Sequence, residues 1–494
     1  MLNGSGKDNS LLDHGDGIWE DRELDGDISP APLTPFTAAL KADAHPALEG
    51  SASLRSTLFN TINGIIGAGV LALPYALHLD GAIVGAVLIV VVAALSERSA
   101  AMLLWASDAT GQRLYAGIGR AVGGPWIGGL VDITVILQNF GLLTGYVVVC
   151  GDLLPEFIAF ARGENDTGEG GIDWQYRAIV LSVLSAVVFL PLSSLKSLDA
   201  LRFTTIVGLL CVLAFVLVSA VLGSMTISDP HSVPCDKTRG GFQLAPGSFM
   251  DFLQSAPLVF FSFVAHNTIL LLYGELKRTR DPEAESKFDS KRSKMLFVVR
   301  VSLAVCAILY CISSLFSYAM FRGETAQDVF VDFGPTAFPW MAWIKLAYAI
   351  VIIFSFPIIA FALRRSLHNL LFGGTRESTT LYAVVESAVV IAGAALVGIF
   401  VPQVSTVFGL TGALTATNIM YIYPAGAFLV LYRRWSQQQE RGGAGAGGLS
   451  EPPHGLWWWA VLVLAIGIFV FVGSTTGVIV GIINPVPAST CGAA

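Results

Sequence analysis

Charge is scarce in this sequence. Asp, Glu, Lys and Arg make up 13% of 494 residues, about half the share that soluble domains carry. Against that stand 54% AVILMFWYC and a mean hydropathy of +0.67. A chain so poor in charge cannot clothe several cores in polar surface, so lipid is the solvent for most of it. Cysteine is scarce too: six residues without CxxC spacing exclude a disulfide scaffold and a zinc site. A Walker loop, HExxH and GxSxG are all missing, which excludes a nucleotide-driven pump and the common hydrolases. No catalytic constellation is present, so no enzyme and no cofactor beyond a coupling ion are expected. The net charge of −7 predicts no nucleic-acid partner. There is no apolar stretch behind a basic start, the pattern of a signal peptide.

What the sequence has is length of apolar run. From Leu54 onward, segments of about 20 residues, enough for a helix to cross a hydrocarbon core, follow one another with short polar joints. The expected spans are 56–78, 82–106, 127–154, 176–194, 199–223, 249–273, 295–321, 338–363, 379–401, 404–432 and 457–483. Residues 1–50 differ: they are rich in Gly, Asp, Ser and Pro, and are expected to form a disordered acidic cytosolic tail. Residues 484–494 are expected as a short tail beyond the last span. With the N-terminus inside, nineteen of the Lys and Arg beyond Arg55 fall on the cytosolic side, Arg113, Arg120 and Lys277 to Lys294 among them, and six on the other. That bias fixes the orientation and puts the C-terminus outside. The sequon Asn165-Asp166-Thr167 falls on the extracytosolic side by the same count, so Asn165 is an expected glycosylation site. Cys235 and Cys491 share that side, whereas Cys150, Cys211, Cys306 and Cys311 read as apolar packing.

Two spans are interrupted. The first carries Asn63-Gly64-Ile65-Ile66-Gly67-Ala68-Gly69 and then Pro74, and the sixth carries Pro257 and Phe260 to Thr268, with Ala265-His266-Asn267 inside apolar sequence. Each glycine weakens a helix by about 1 kcal/mol relative to Ala. Unwound backbone at membrane depth survives only where it lines protein or water. The alternative is close helix packing through small residues. The first and sixth spans open two consecutive sets of five, and paired interruptions at matching positions point to a transporter's midplane site. The expected substrate site is therefore Gly64, Ile65, Ile66, Gly67, Ala68 and Gly69 with Phe260, Phe263, Ala265, His266 and Asn267.

These residues also resemble a known family. Phe59 to Ala76 looks like the first helix of the amino acid/auxin permease family, roughly N-x-I-x-G-S-G-I/V-L-x-L-P/A-Y-A. Ala265-His266-Asn267 through Tyr273-Gly274-Glu275-Leu276 resembles the sixth helix of its sodium-coupled neutral amino acid branch. Ser355-Phe356-Pro357 with Arg364-Arg365-Ser366-Leu367 resembles that branch's eighth helix, and Phe408 to Pro424 the tenth. The resemblance spans about residues 54–483. It implies an all-α membrane protein of LeuT-like fold, with eleven helices, a 5+5 inverted repeat and broken helices one and six, carrying amino acids. Ala265, Asn267, Thr268 and Leu271 depart from the sodium-coupled pattern, and Pro74 is closer to vacuolar and proton-coupled members. The coupling ion thus stays open between sodium and proton, and the membrane between endomembrane and plasma membrane.

The resemblance makes Asn63 and Ser355 candidate sodium ligands, an amide oxygen and a hydroxyl suited to a hard cation; interhelical hydrogen bonding is the alternative for each. His266, read as the only histidine deep in an apolar span, either takes part in proton coupling or holds the sixth-helix break open as a neutral ring. Glu97 with Arg98, and Glu386, are expected to snorkel or pair locally. No acidic residue stands against a cationic substrate, so the expected activity is secondary active transport of small neutral amino acids by alternating access. The alternative is an amino acid sensor signalling through its N-terminal tail. Its expected partners are an amino acid, a coupling cation and the lipid bilayer; oligomeric state is not readable.

Overall fold

The structure, a computed structural model, describes residues 52–67, 69–163, 174–194, 203–229, 241–277, 290–333, 338–372, 379–440 and 451–483. Outside them lie the 1–50 segment, Ala68, the Asn165 sequon, Cys235, Cys491, most of the basic sixth-to-seventh joint and residues 484–494. The described chain is helical, and ten helices are each long and apolar enough to span a bilayer. The eleventh crossing, first in the chain, is a bent pair, Leu54–Ile65 and Gly69–Asp80, with 53° between its halves. The remaining spans, in order, are Ala82–Thr110, Tyr115–Ala161, Trp174–Ser193, Phe203–Ser228, Phe249–Glu275, Lys291–Phe321, Met341–Phe372, Thr380–Phe400, Val404–Glu440 and Leu456–Ile483. Alternate crossing leaves a near end, where the first span begins, and a far end, which carries the odd-numbered joints.

Several spans run longer than the apolar run alone implies. The third begins at Tyr115 and not at 127, because a short helix precedes the membrane stretch and bends into it at Gly124, whose φ of 80° suits a residue without Cβ. The eighth continues to Phe372, nine residues past the expected end. This extension buries His368, so His266 is not the only buried histidine of the spans. His368 Nδ1 lies 2.6 Å from Glu386 of the ninth span, and both are buried, so Glu386 pairs locally without snorkelling. Glu97 pairs with Arg98 at 3.3 Å and with Arg300 at 2.7 Å.

Exposed Leu, Ile, Val and Phe cover the outer helix faces, as lipid-facing surface requires. Exposed Trp126 and Trp458 stand toward the near end, and Trp174, Trp340 and Trp343 toward the far end, the two levels at which tryptophan is enriched in membrane proteins. Inside, small residues let backbones touch. A Cβ at Gly412 would fall 2.0 Å from the Pro257 carbonyl oxygen, and one at Gly145 would fall 2.0 Å from Phe408, so the tenth span lies hard against the sixth and third.

Candidate substrate site

The two interruptions are the same event at the atomic level. In an unbroken helix the carbonyl of residue i accepts from the N–H of i+4, so Ile65 would pair with Gly69 and Ser262 with His266. In the first span Ile66 leaves the helix with ψ 102°, and the second half restarts at Gly69. In the sixth, Phe263 and Ala265 leave helical geometry and the helix restarts at His266. Each break frees carbonyls of its leading half-helix, and a single buried side chain of the seventh span reaches one from each. The Tyr310 hydroxyl lies 2.9 Å from the Ile65 oxygen and 3.0 Å from the Ser262 oxygen, and donates its one proton to either. Gly69 and Ser262 touch, since a Cβ on Gly69 would come within 2.6 Å of Ser262 Oγ and 2.9 Å of its Cα.

The remaining expected residues fall around this junction. Gly64 is half-buried, Ile65 and Ile66 are buried, and a Cβ on Gly67 would meet nothing within 4 Å, so open space adjoins the first break. Phe260 is buried edge-on to Tyr421, and Phe263 is fully buried edge-on to Tyr310. Ala265 is buried and Asn267 half-buried. His266 is 1% exposed; its Nε2 pairs with Ser99 Oγ at 2.6 Å, tying the restart of the sixth span to the second, and its Nδ1 has no partner. Both restarting half-helices begin with N–H groups that lack intrahelical acceptors, a setting for a carboxylate.

Asn63 and Ser355 are both half-buried, on the leading half of the first span and midway along the eighth. The first span packs extensively on the sixth and seventh, and the eighth is not among its extensive partners. Sequence reasoning missed Tyr310; the signal available was a tyrosine inside an apolar span, whose hydroxyl needs a partner once buried. It also missed the tenth span's shape. Two π-turns, Gly412–Ala416 and Asn418–Ile422, loosen this helix beside the junction, a distortion common at functional sites. Thr415 of the first π-turn donates to Gln138 of the third span.

Both ends of the bundle are fastened near the broken spans. At the near end Ala52 pairs with the strand-like exit of the sixth span through Ala52 N–H to Glu275 O at 3.0 Å and Lys277 N–H to Ala52 O at 3.1 Å. Beside it Tyr273 donates to Asp108 at 2.8 Å, with the Arg113 guanidinium 4.8 Å from the Tyr273 ring centre. At the far end a cavity of about 50 Å³ is lined by Tyr75, Gln254, Gln327, Gln403 and Ser405 among others. Ser405 closes one side of it by donating to Gln327 at 2.5 Å.

The sequence profile of the family described as transmembrane amino acid transporter protein matches residues 50–442. The chain belongs to this family. It is 28% identical to amino acid transporter AVT6B of Arabidopsis thaliana over 403 residues, covering 76% of this chain and 82% of the relative. It is 27% identical to human sodium-coupled neutral amino acid transporter 4, covering 91% of this chain and 87% of that one. Its fold matches MhsT, solved in complex with L-phenylalanine, with a TM-score of 0.55 and 13% identity over 87% of this chain and 99% of MhsT. This family member is therefore a multi-pass membrane protein of LeuT-like fold, a transporter and not an enzyme.

Proposed function

We propose that this transporter carries small neutral amino acids by alternating access, with the substrate seated at the paired breaks. The observation that carries the reading is the Tyr310 junction, which holds two interrupted helices open at one depth with open space at Gly67. The α-carboxylate would meet unpaired N–H groups where the half-helices restart. The α-amino group would meet carbonyls freed beside them. The side chain would extend past Gly67 toward the aromatic residues of the sixth and tenth spans. No carboxylate side chain is placed at the breaks among the described residues, which disfavours a cationic side chain there.

The near-end clasp and the far-end closure at Gln327 and Ser405 are the parts that would open in turn. Orientation follows the sequence bias, with the near end and the N-terminus cytosolic and Asn165 on the far side open to glycosylation. Sodium is the favoured coupling ion because a sodium-coupled transporter is among the relatives. Asn63 and Ser355 would then supply oxygen ligands to it as the first and eighth spans approach. Competition against uptake of a labelled neutral amino acid tests the substrate class. Alanine, serine and glutamine are expected to compete and arginine and lysine not to, and uptake confined to the basic pair would overturn the reading.

A further inference from the structure

The joint between the seventh and eighth spans carries charge into the interior of the far end. Its short helix Val329–Asp332 is buried, with Phe330 and Phe333 fully covered against Phe215 of the fifth span, and Phe330 also against Tyr348 of the eighth. Around that plug stand four carboxylates and two cations. Lys345 of the eighth span, 2% exposed, lies 2.5 Å from Glu156 of the third. Arg177 of the fourth span lies 3.1 Å from Asp152 of the third and donates to the Val148 carbonyl at 3.0 Å. Both cations are thereby taken by the third span, and two of the joint's carboxylates, Asp328 and Asp332, form no ion pair among the described residues. Asp332 accepts from the Ala326 N–H with both oxygens, at 2.9 and 3.1 Å. Asp328 is 3% exposed; its Oδ1 accepts from the Phe330 N–H at 2.9 Å, and its Oδ2 is buried with no partner. No group of three acidic, His or Cys side chains among the described residues is arranged to hold a metal ion. A proton would satisfy the lone buried oxygen of Asp328.

We propose that this joint is a proton-operated latch: Asp328 and Asp332 hold protons while the joint is docked on the third, fourth, fifth and eighth spans, and release them when it lifts. The joint also reaches the cavity beside the broken spans through Gln327, so lifting it would break the Ser405 contact and widen the far-end opening.

The sign follows from the environment. Burial, opposed by the Phe330 N–H and by Lys345, pushes the Asp328 carboxyl up from 3.8 to about 6, and burial drives Asp332 well above its ordinary value. The docked state therefore binds more protons than the lifted one. Docking is strongest below about pH 4, weakens as pH rises, and has lost the Asp328 contribution above about pH 6. A span of about two pH units corresponds to about a hundredfold fall in the docking constant from Asp328 alone. Other titratable groups face the joint from each neighbour: Asp152 and Glu156 from the third span, Arg177 from the fourth, Lys345 and Tyr348 from the eighth, with Cys211 of the fifth behind Tyr348, and Glu324 from the joint itself. From the first span come His78, tilted against the rings of Tyr75 and Tyr318, and Asp80, which accepts from Ser255 at 2.6 Å.

The test is a distance measurement, independent of transport and so of the substrate assignment. Spin labels on Gly323→Cys in the joint and Trp174→Cys at the start of the fourth span, in a cysteine-free background in lipid nanodiscs, report docking by double electron–electron resonance. A single short distance is expected at pH 4. A second, longer population should appear by pH 7, the docking constant falling about a hundredfold or more. Asp328→Asn/Asp332→Asn should stay docked at both values, and His78→Gln should behave as the parent. An unchanged distribution in the parent between pH 4 and pH 7 overturns the latch, and so does a shift that survives the double Asn variant or vanishes in His78→Gln.

Discussion

Tyr310 offers one hydroxyl proton to two freed carbonyls, Ile65 and Ser262, where an unbroken helix would offer each its own N–H. Replacing it by Phe keeps the ring against Phe263 but removes the one donor that the Ile65 and Ser262 carbonyls share. Buried polar groups without partners cost about 1–3 kcal/mol. Tyr310→Phe is therefore expected to lower the melting temperature in nanodiscs by a few degrees and to reduce the maximal uptake rate; a variant with parental melting and uptake would remove the hydroxyl from the account. The sequence marked the breaks themselves, because three glycines and a polar triplet violate helical and apolar patterns. It did not mark Tyr310, since a tyrosine in an apolar helix carries no pattern until its neighbours in space are known. His266 was visible as a buried ionisable group, but its partner Ser99 is 167 residues away and was not. His368 was overlooked because the eighth helix outlasts its apolar run.

At the scale of elements, the glycines of the first break separate by what surrounds them. Gly69 abuts the backbone of Ser262, whereas Gly67 faces open space. Gly69→Ala is expected to push the two broken spans apart and abolish uptake with a loss of thermal stability. Gly67→Ala should fold normally and raise KM for the larger neutral substrates by filling their room. Equal effects of the two on stability would contradict the assignment of space at the break. The near-end clasp makes a second prediction: Tyr273→Phe deletes the bond to Asp108, loosening the exit of the sixth span. Thiols placed beneath it should then label several-fold faster from the near end, with far-end labelling unchanged or reduced; unchanged near-end labelling would deny the clasp a gating part. Span number and order were legible from apolar length alone. The π-turns of the tenth span and the bend at Gly124 were not, because local backbone geometry is set by packing against other helices and leaves only a faint mark in composition.

For the whole molecule, the arrangement is a bundle with its interrupted helices joined at one depth, fastened at the near end by Ala52 and Tyr273 and closed at the far end by the Ser405 contact to Gln327. Such a frame suits a substrate site that is offered to each side in turn, with binding energy and ion binding shifting the balance between the two openings. The family match sets the cargo class, and our proposal seats the cargo at the paired breaks. The most direct measurement is amino acid uptake into proteoliposomes holding the purified protein, with sodium and pH gradients imposed separately. The account predicts accumulation of a neutral amino acid driven by an inward sodium gradient, lost in Asn63→Ala and Ser355→Ala and reduced in Tyr310→Phe. Substrate binding without accumulation under either gradient would contradict it.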